Sequence, residues 1–133
     1  MLERDFTYLA VPYLHSDPAV REGRFRMANK AAAYLLKAGH IVYSPISHCH
    51  PIALADDLPK GWEFWRNLDE FYLKHSRQLV VLMLEGWTDS EGVQEEVEIA
   101  KGRGIPVMYL RERHVAACQG TCTHFELMWD KPL

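Results

Sequence analysis

Short apolar runs alternate with segments of helical periodicity along this chain, and this alternation constrains the fold more than any other feature. Four apolar runs are predicted strands: residues 6–11, 41–44, 78–84 and 106–110. Residues 79–84 are apolar without interruption, which is typical of a central strand buried on both faces of a parallel sheet. The chain is therefore expected to belong to the α/β class.

Helices are predicted between these strands from an apolar period of 3.6 residues. They cover residues 19–38, a segment that begins at Pro59 and runs through Leu73, and residues 91–101. Gly39 follows the first of them, and Gly102 or Gly104 ends the last, because glycine adopts the left-handed conformation that often follows a helix. Residues 111–133 show no clear period and are expected to hold a short helix or a last strand.

Strand–helix alternation predicts right-handed crossovers and a sheet covered on both faces. We expect one domain over residues 1–133, a flavodoxin-like three-layer sandwich. Its four- or five-stranded parallel sheet should have the order 2-1-3-4-5. Ligands of such sheets bind beyond the carboxyl ends of the strands, near the switch point between strands 1 and 3. Residues 12–24, 45–52 and 85–96 should line this crevice, the middle segment as a loop.

The composition argues against several classes of partner. With 15 Lys and Arg against 18 Asp and Glu, the formal charge is −3, so non-specific binding to a nucleic acid polymer or an anionic membrane is not expected. No apolar run approaches the roughly 20 residues of a membrane span. The charged residues 1–5 do not resemble a signal peptide, and three cysteines form no secreted-type framework. We expect a cytoplasmic protein with reduced thiols.

Two acidic residues fall on the apolar side of their predicted helices. At 100° per residue, Glu96 lies on the arc of Val93 and Val97, and Asp69 lies on that of Trp65 and Tyr72. Acids are seldom buried unless paired or hydrogen-bonded, and desolvation raises their pKa. Two such acids in one crevice could divide into a charged nucleophile and a protonated acid. A structural alternative is that Glu96 pairs with a buried arginine and that Asp69 caps a loop.

The sequence around Glu96 resembles a known family. Residues 90–96, SEGVQEE, are similar to the Ser-x-Gly-Val-x-x-Glu element of nucleoside 2-deoxyribosyltransferase-like proteins, which include the 2′-deoxynucleoside 5′-phosphate N-hydrolases. Residues 8–12, YLAVP, resemble their Tyr-Leu-Ala-Gly-Pro strand. Ser44-Pro45 and the segment from Trp65 to Asp69 also fit. The pattern covers roughly residues 6–110 and is most similar to a DUF1937-type domain found in bacteria and phages.

The resemblance implies a role for each matching residue. Glu96 would attack C1′ of the sugar and form a glycosyl-enzyme intermediate, as in retaining glycosidases. Asp69 would orient or protonate the leaving base, and Tyr8 would lie near the sugar. Ser90 and Gly92 open the Glu96 helix, where backbone N–H groups favour an anion such as a 5′-phosphate. Pro12 ends the first-strand motif, begins the crevice segment and is counted as a substrate contact.

Some positions depart from the family pattern. Val11 replaces the motif glycine, and Glu98 replaces the glycine of the transferases' Glu-x-Gly-x-Ala. Arg77 stands where an acid often precedes strand 3, and Ser90 stands where the transferases have a sugar-binding acid. These differences favour a hydrolase or a nucleotide-binding relative over a transferase.

Other side chains are candidates for contacts with a substrate. Arg21 and Arg24 begin the first helix and could each hold a phosphate, or could be exposed first-turn residues. Tyr13 could contact sugar or base, or could be a surface aromatic. His48 could hydrogen-bond a base or transfer a proton. Trp65 could stack on a base, although aromatics at helical spacing often belong to a core.

Neither a metal nor a cofactor is expected. The spacing of the His and Cys residues matches no strong zinc pattern. These residues are His48, Cys49, His50, Cys118, Cys122 and His124. A plain loop or a base contact is the preferred interpretation of residues 47–51.

Taken together, the sequence predicts an enzyme that cleaves or exchanges the N-glycosidic bond of a nucleoside or nucleotide through a glutamate glycosyl-enzyme intermediate. The alternative is a non-catalytic nucleotide-binding or sensor domain of the same fold. A response-regulator-like domain ranks last, because the required lysine is absent after strand 4, where Leu110 and Arg111 stand. The resemblance also implies a homo-oligomer, a dimer or tetramer.

Overall fold

The computed structural model describes residues 6–113 and 123–129 as an α/β fold. The strands are β1 (Thr7–Ala10), β2 (Val42–Tyr43), β3 (Gln78–Leu82), β4 (Val107–Arg113) and β5 (His124–Met128). The helices are α1 (Pro18–Lys37), α2 (Pro45–Ala55), α3 (Trp62–Lys74) and α4 (Glu91–Gly102), with a single 3₁₀ turn at Trp87–Asp89. Within the described residues, no helix is both long and apolar enough to cross a membrane.

The strands form one sheet in the order β2-β1-β3-β4-β5, which confirms the predicted order. The first four strands are parallel, whereas β5 is antiparallel to β4, with Arg113 opposite His124 and Tyr109 opposite Met128. Ten residues, 114–123, separate β4 from β5. A parallel crossover needs about a dozen residues or more, usually including a helix, so this connection favours an antiparallel return.

Alternate side chains of the central strands point to opposite faces, and each face is covered by helices. Leu9, Val80 and Leu110 pack with Ala28, Ala31 and Leu35 of α1. Tyr8, Leu79 and Val81 pack with Leu73 of α3 and with Val93, Val97 and Ala100 of α4. The result is the expected three-layer sandwich, with α3 and α4 side by side on one face.

Two predicted boundaries were wrong. Residues 45–52 form most of helix α2 rather than a loop, because Pro45 occupies the first turn, where a missing N–H is tolerated. The helix expected to begin at Pro59 begins at Trp62, after Gly61 in an extended conformation.

Gly104 rather than Gly102 follows α4, with a φ of 70°. The N–H of Ile105 then bonds the carbonyl of Ala100 at 2.8 Å, which completes the helix end.

Candidate functional site

A pocket of about 220 Å³ opens at the carboxyl edge of the sheet. Its walls come from the loop after β1, from α2 and α3, and from the first turns of α4. The loops after β1 and β3 flank it, so it lies where the strand order reverses between these neighbouring strands. Ligand crevices of open α/β sheets form at this position.

Glu96 projects from the buried face of α4 into this pocket. It is 5% exposed, and its Oε2 accepts a hydrogen bond from the hydroxyl of Tyr8 in β1. Burial raises the pKa of Glu96 well above its ordinary value, and the charge of Asp69 raises it further. The bond from Tyr8 acts in the opposite sense, because it stabilises the carboxylate.

Asp69 reaches the same pocket from the neighbouring helix, α3. It is 8% exposed, and burial raises its pKa from 3.8 to about 7. Its Oδ1 is buried and has no hydrogen-bond partner within the described residues. Neither Asp69 nor Glu96 pairs with an arginine among the described side chains, so the structural alternative of a buried ion pair for Glu96 has no support there. Unpaired buried carboxyls in pockets are a common feature of functional sites.

The amino-terminal end of α4 forms another part of the wall. Ser90 is its N-cap and accepts the N–H of Val93 at 3.3 Å through its hydroxyl. Gly92 lies against Trp62, whose ring would be 3.5 Å from a Cβ at that position. Two acids, Asp89 and Glu91, line the pocket on either side of Ser90. The helix dipole favours an anion here, whereas these flanking carboxylates oppose one.

The two arginines predicted to hold a phosphate are not among the residues that line the pocket. Arg24 donates from Nη1 to the carbonyl of Leu14 at 3.2 Å and from Nη2 to that of Glu85 at 3.0 Å. We call this pair of bonds the Arg24 clasp, because it ties the loop after β1 to the loop after β3. Arg21 donates to the carbonyl of His15. Lys60 is instead the pocket's lysine, with Nζ 3.6 Å from Asp57.

Two of the three predicted aromatic contacts lie in the wall, whereas Tyr8 is fully buried and is absent from the lining. Trp65 lines the pocket, and its Nε1 donates to the carbonyl of Pro59 at 2.7 Å, which fixes the ring. Tyr13 also lines it and is hydrogen-bonded to Nδ1 of His50 at 2.5 Å. Pro12 is fully buried and is absent from the lining.

His48 is exposed and is absent from the pocket lining, whereas His50, which the sequence did not single out, is 5% exposed and lines it. The difference follows from the helical conformation of α2, whose period places Cys49, His50 and Ala53 on the inner face. Reading Pro45 as the first residue of a helix would have identified this face from the sequence.

No cluster of His, Cys, Asp and Glu suited to a metal ion occurs in residues 6–113 and 123–129. Of the three cysteines, Cys49 lines the pocket as a buried thiol, and burial raises its pKa to about 11. Cys118 and Cys122 lie outside the described residues.

The fold has a solved counterpart. The 2-deoxyribosyltransferase from the psychrotolerant bacterium Bacillus psychrosaccharolyticus superposes with a TM-score of 0.52 and 23% sequence identity, over 77% of this chain and 69% of that chain. At this identity, the likeness shows the fold alone. No curated protein sequence matches the chain. A family model described as a domain of unknown function, DUF1937, matches residues 5–112. The chain has the fold of a nucleoside 2-deoxyribosyltransferase and belongs to the DUF1937 family.

Proposed function

We propose that this protein cleaves or exchanges the N-glycosidic bond of a nucleoside or nucleotide. The observation that carries the proposal is the presence of two buried acids, Glu96 and Asp69, on adjacent helices in one pocket. The packing of the fold does not require an acid at either position, and burial of each carboxyl costs folding free energy. Paired carboxyls in different environments are the groups that glycosidic cleavage requires.

In the proposed reaction, a carboxylate oxygen of Glu96 attacks C1′ as the bond from C1′ to the base nitrogen breaks. The electron pair of that bond leaves with the base, and Asp69 delivers a proton to the base. The product is a glycosyl ester on Glu96. Water, or a second base, then attacks C1′ and releases Glu96, with its own proton returning to Asp69.

The electrostatics of the pocket support the role of Asp69 as the acid. Asp69 has a pKa of about 7 and is therefore partly protonated at neutral pH, as a general acid should be. Glu96 has a raised pKa, but Tyr8 donates a hydrogen bond that favours its ionised form. Because burial and the charge of Asp69 both raise the pKa of Glu96, the proposed reaction requires the form in which the proton of the pair resides on Asp69 and Glu96 is ionised.

The test is chromatography of nucleosides and their monophosphates after incubation with the protein, with and without a second free base. Base release without an acceptor would identify a hydrolase, and a new nucleoside formed with the acceptor would identify a transferase. Glu96→Gln should lower either activity at least about 10³-fold, because the nucleophile is lost. Glu95→Gln is the matched control, since Glu95 is an exposed neighbour on the same helix.

A glycosyl ester on Glu96 should also be detected as a mass increase of its peptide after acid quenching. Turnover that is unchanged in Glu96→Gln would contradict the mechanism. Binding of a nucleotide with no turnover would favour the alternative, a non-catalytic nucleotide-binding or sensor domain.

A further inference from the structure

Three side chains from separate segments form a hydrogen-bonded chain behind one wall of the pocket. The hydroxyl of Tyr13, in the loop after β1, lies 2.5 Å from Nδ1 of His50 in α2. Nε2 of the same ring lies 3.4 Å from Oε1 of Glu22 in α1. Phe25 packs against the imidazole, with ring centroids 4.4 Å apart, and holds its plane. Tyr13 and His50 line the pocket, and Glu22 does not.

The chemistry of these groups fixes the direction of both hydrogen bonds. A carboxylate can only accept, so Nε2 of His50 carries the proton that is shared with Glu22. In a neutral imidazole, Nδ1 is then the acceptor, and the hydroxyl of Tyr13 must donate to it. The single hydroxyl hydrogen of Tyr13 is thereby engaged in the hydrogen bond to His50. Its oxygen can offer only lone pairs to anything else.

Arg21 is a cationic neighbour of Tyr13. Its guanidinium lies near the phenol and partly offsets the rise in the pKa of Tyr13 that burial causes. An arginine only donates, so it does not change the acceptor role of the oxygen. The oxygen has two lone pairs, and at least one of them remains for a donor of a ligand.

We propose that Tyr13 is a specificity residue that accepts a hydrogen bond from a hydroxyl or amino group of the ligand, with His50 and Glu22 as positioning residues. This inference rests on the proposed function, in that the ligand is taken to be a nucleoside or nucleotide. Sugar hydroxyls and exocyclic amino groups of bases are the donors that such a ligand carries. A ligand group that can only accept hydrogen bonds would face a lone pair of the Tyr13 oxygen, and this contact is unfavourable.

The surrounding wall is consistent with selection for donors. Asp89 and Glu91 line the pocket with further acceptor oxygens, and Asp69 contributes an unpaired one. Lys60 is the pocket's lysine, and its Nζ already donates to the carbonyl of Leu58 at 3.3 Å. The described wall therefore offers a ligand several acceptor oxygens, beside the donors of Lys60 and the unpaired Nε1 of Trp62.

The first arm of the experiment needs no ligand. Long-range ¹H–¹⁵N spectra of the labelled protein at pH 7.5 report which nitrogen of each histidine carries the proton. His50 should be the Nε2–H tautomer, and Tyr13→Phe should shift its Nδ1 resonance. Tyr34→Phe, which changes a ring of α1 that packs against Phe125, should leave that resonance unchanged. A proton on Nδ1 of His50 at this pH would overturn the inference whatever the protein binds.

The second arm measures binding by calorimetry. The probes are 2′-deoxyadenosine and analogues that each lack one donor: the 5′-deoxy, 3′-deoxy and N6-dimethyl derivatives. Against the wild type, one analogue should bind about tenfold more weakly than the parent, the loss expected for one hydrogen bond. Against Tyr13→Phe, the same analogue and the parent should bind equally. Which analogue it is separates a sugar hydroxyl from the amino group of the base.

The positioning role is tested with Glu22→Gln, a substitution at a half-exposed side chain that should not disturb folding. An amide at this position can donate to Nε2 and so permits the opposite tautomer. The tenfold discrimination should shrink to about threefold or less, whereas affinity for the analogue that lacks the donor should stay within about twofold. If Glu22 has a purely structural role, Glu22→Gln should weaken the binding of all the probes alike. That result would show that Glu22 does not position Tyr13 for the ligand.

The outcomes separate the two proposals. If the wild type binds nucleosides and no analogue shows a Tyr13-dependent loss, the inference is wrong and the proposed function stands. If the wild type binds neither these nucleosides nor their 5′-monophosphates, the proposed function fails, and the ligand role of Tyr13 fails with it.

Discussion

Asp69 and Glu96 should affect stability as well as chemistry, because the folded state holds both carboxyls where their charged forms are poorly solvated. For Asp69, the pKa rises from 3.8 to about 7 on folding. The folded protein therefore binds more protons than the unfolded chain between these two values. The free energy of unfolding should fall as the pH rises through this window and should level off above about pH 7, because the unfolded state is favoured by ionisation.

The isosteric substitution Asp69→Asn tests this residue. It should increase the free energy of unfolding at pH 8 by at most roughly 4 kcal/mol, the value that corresponds to the full pKa difference. Below about pH 4, it should have little effect. Urea unfolding at pH 4, 6 and 8 measures both, with Asn67→Asp on the exposed side of α3 as a control. Equal stabilities of wild type and Asp69→Asn at pH 8 would contradict the burial cost.

The same group sets the expected pH dependence of the proposed activity. As the acid, Asp69 must be protonated, so kcat should decline as the pH rises above about 7. Asp69→Asn should remove this limb and lower kcat about 10²- to 10⁴-fold, except with substrates whose leaving base needs no protonation. Initial rates from pH 5 to 9 provide the measurement. A profile that keeps its alkaline limb in the variant would assign that limb to another group.

At the scale of elements, helix α2 shows why part of the site was not predicted from the sequence. Residues 45–52 were expected to form a loop, yet Pro45 occupies the opening turn of α2, and Pro51 is accommodated inside it. A prediction from local propensity cannot foresee that packing against α1 and β1 overrides the inner proline. His50 was overlooked for this reason. By contrast, α4 has an N-cap serine, an apolar period and a following glycine, and its buried acid was identified.

The turn after β3 depends on Gly86, and the Arg24 clasp depends on that turn. Gly86 has a φ of 89°, and a Cβ there would lie 2.8 Å from Nη2 of Arg24. Gly86→Ala should therefore destabilise the fold by at least about 1 kcal/mol, since the backbone is strained and the guanidinium is displaced.

Urea unfolding measures this effect against a matched control. Gly23→Ala changes an exposed glycine inside α1, where an added Cβ would have no neighbouring atom within 4 Å. It should stabilise by about 0.5–1 kcal/mol through helix propensity. Opposite signs for the two substitutions are expected, and a neutral Gly86→Ala would show that the clasp tolerates displacement.

For the whole molecule, the strand order and layers could be predicted because they follow from alternation and handedness, which are properties of the entire chain. The direction of β5 was not predicted, because residues 111–133 show no clear period and the length of the connection was therefore unknown. Pocket residues were predicted where a helical period exposed them, as for Glu96. Arg21 and Arg24 were predicted to hold a phosphate and instead donate to backbone carbonyls, because their partners are set by packing between elements.

A homo-oligomer stays a prediction, and an exposed apolar face of helix α3 is where we expect it to form. Phe64, Leu68 and Phe71 lie on one face and are 49%, 36% and 53% exposed. We expect sedimentation equilibrium at micromolar concentration to give at least a dimer and Phe71→Glu to give a monomer. Leu36→Glu, which changes an exposed leucine of α1, should leave the assembly intact. A monomeric wild type would show that the expectation of a homo-oligomer is wrong.

The Arg24 clasp also bears on how readily the pocket can acquire new ligands. Both of its acceptors are backbone carbonyls, so the bond geometry does not depend on which side chains occupy positions 14 and 85. Leu14 lines the pocket and is 60% exposed. Substitution of Leu14 can therefore alter the rim of the pocket without loosening the two loops that the Arg24 clasp joins. Selectivity and stability are separable at this rim, which makes it a favourable site for divergence among relatives and for randomised libraries.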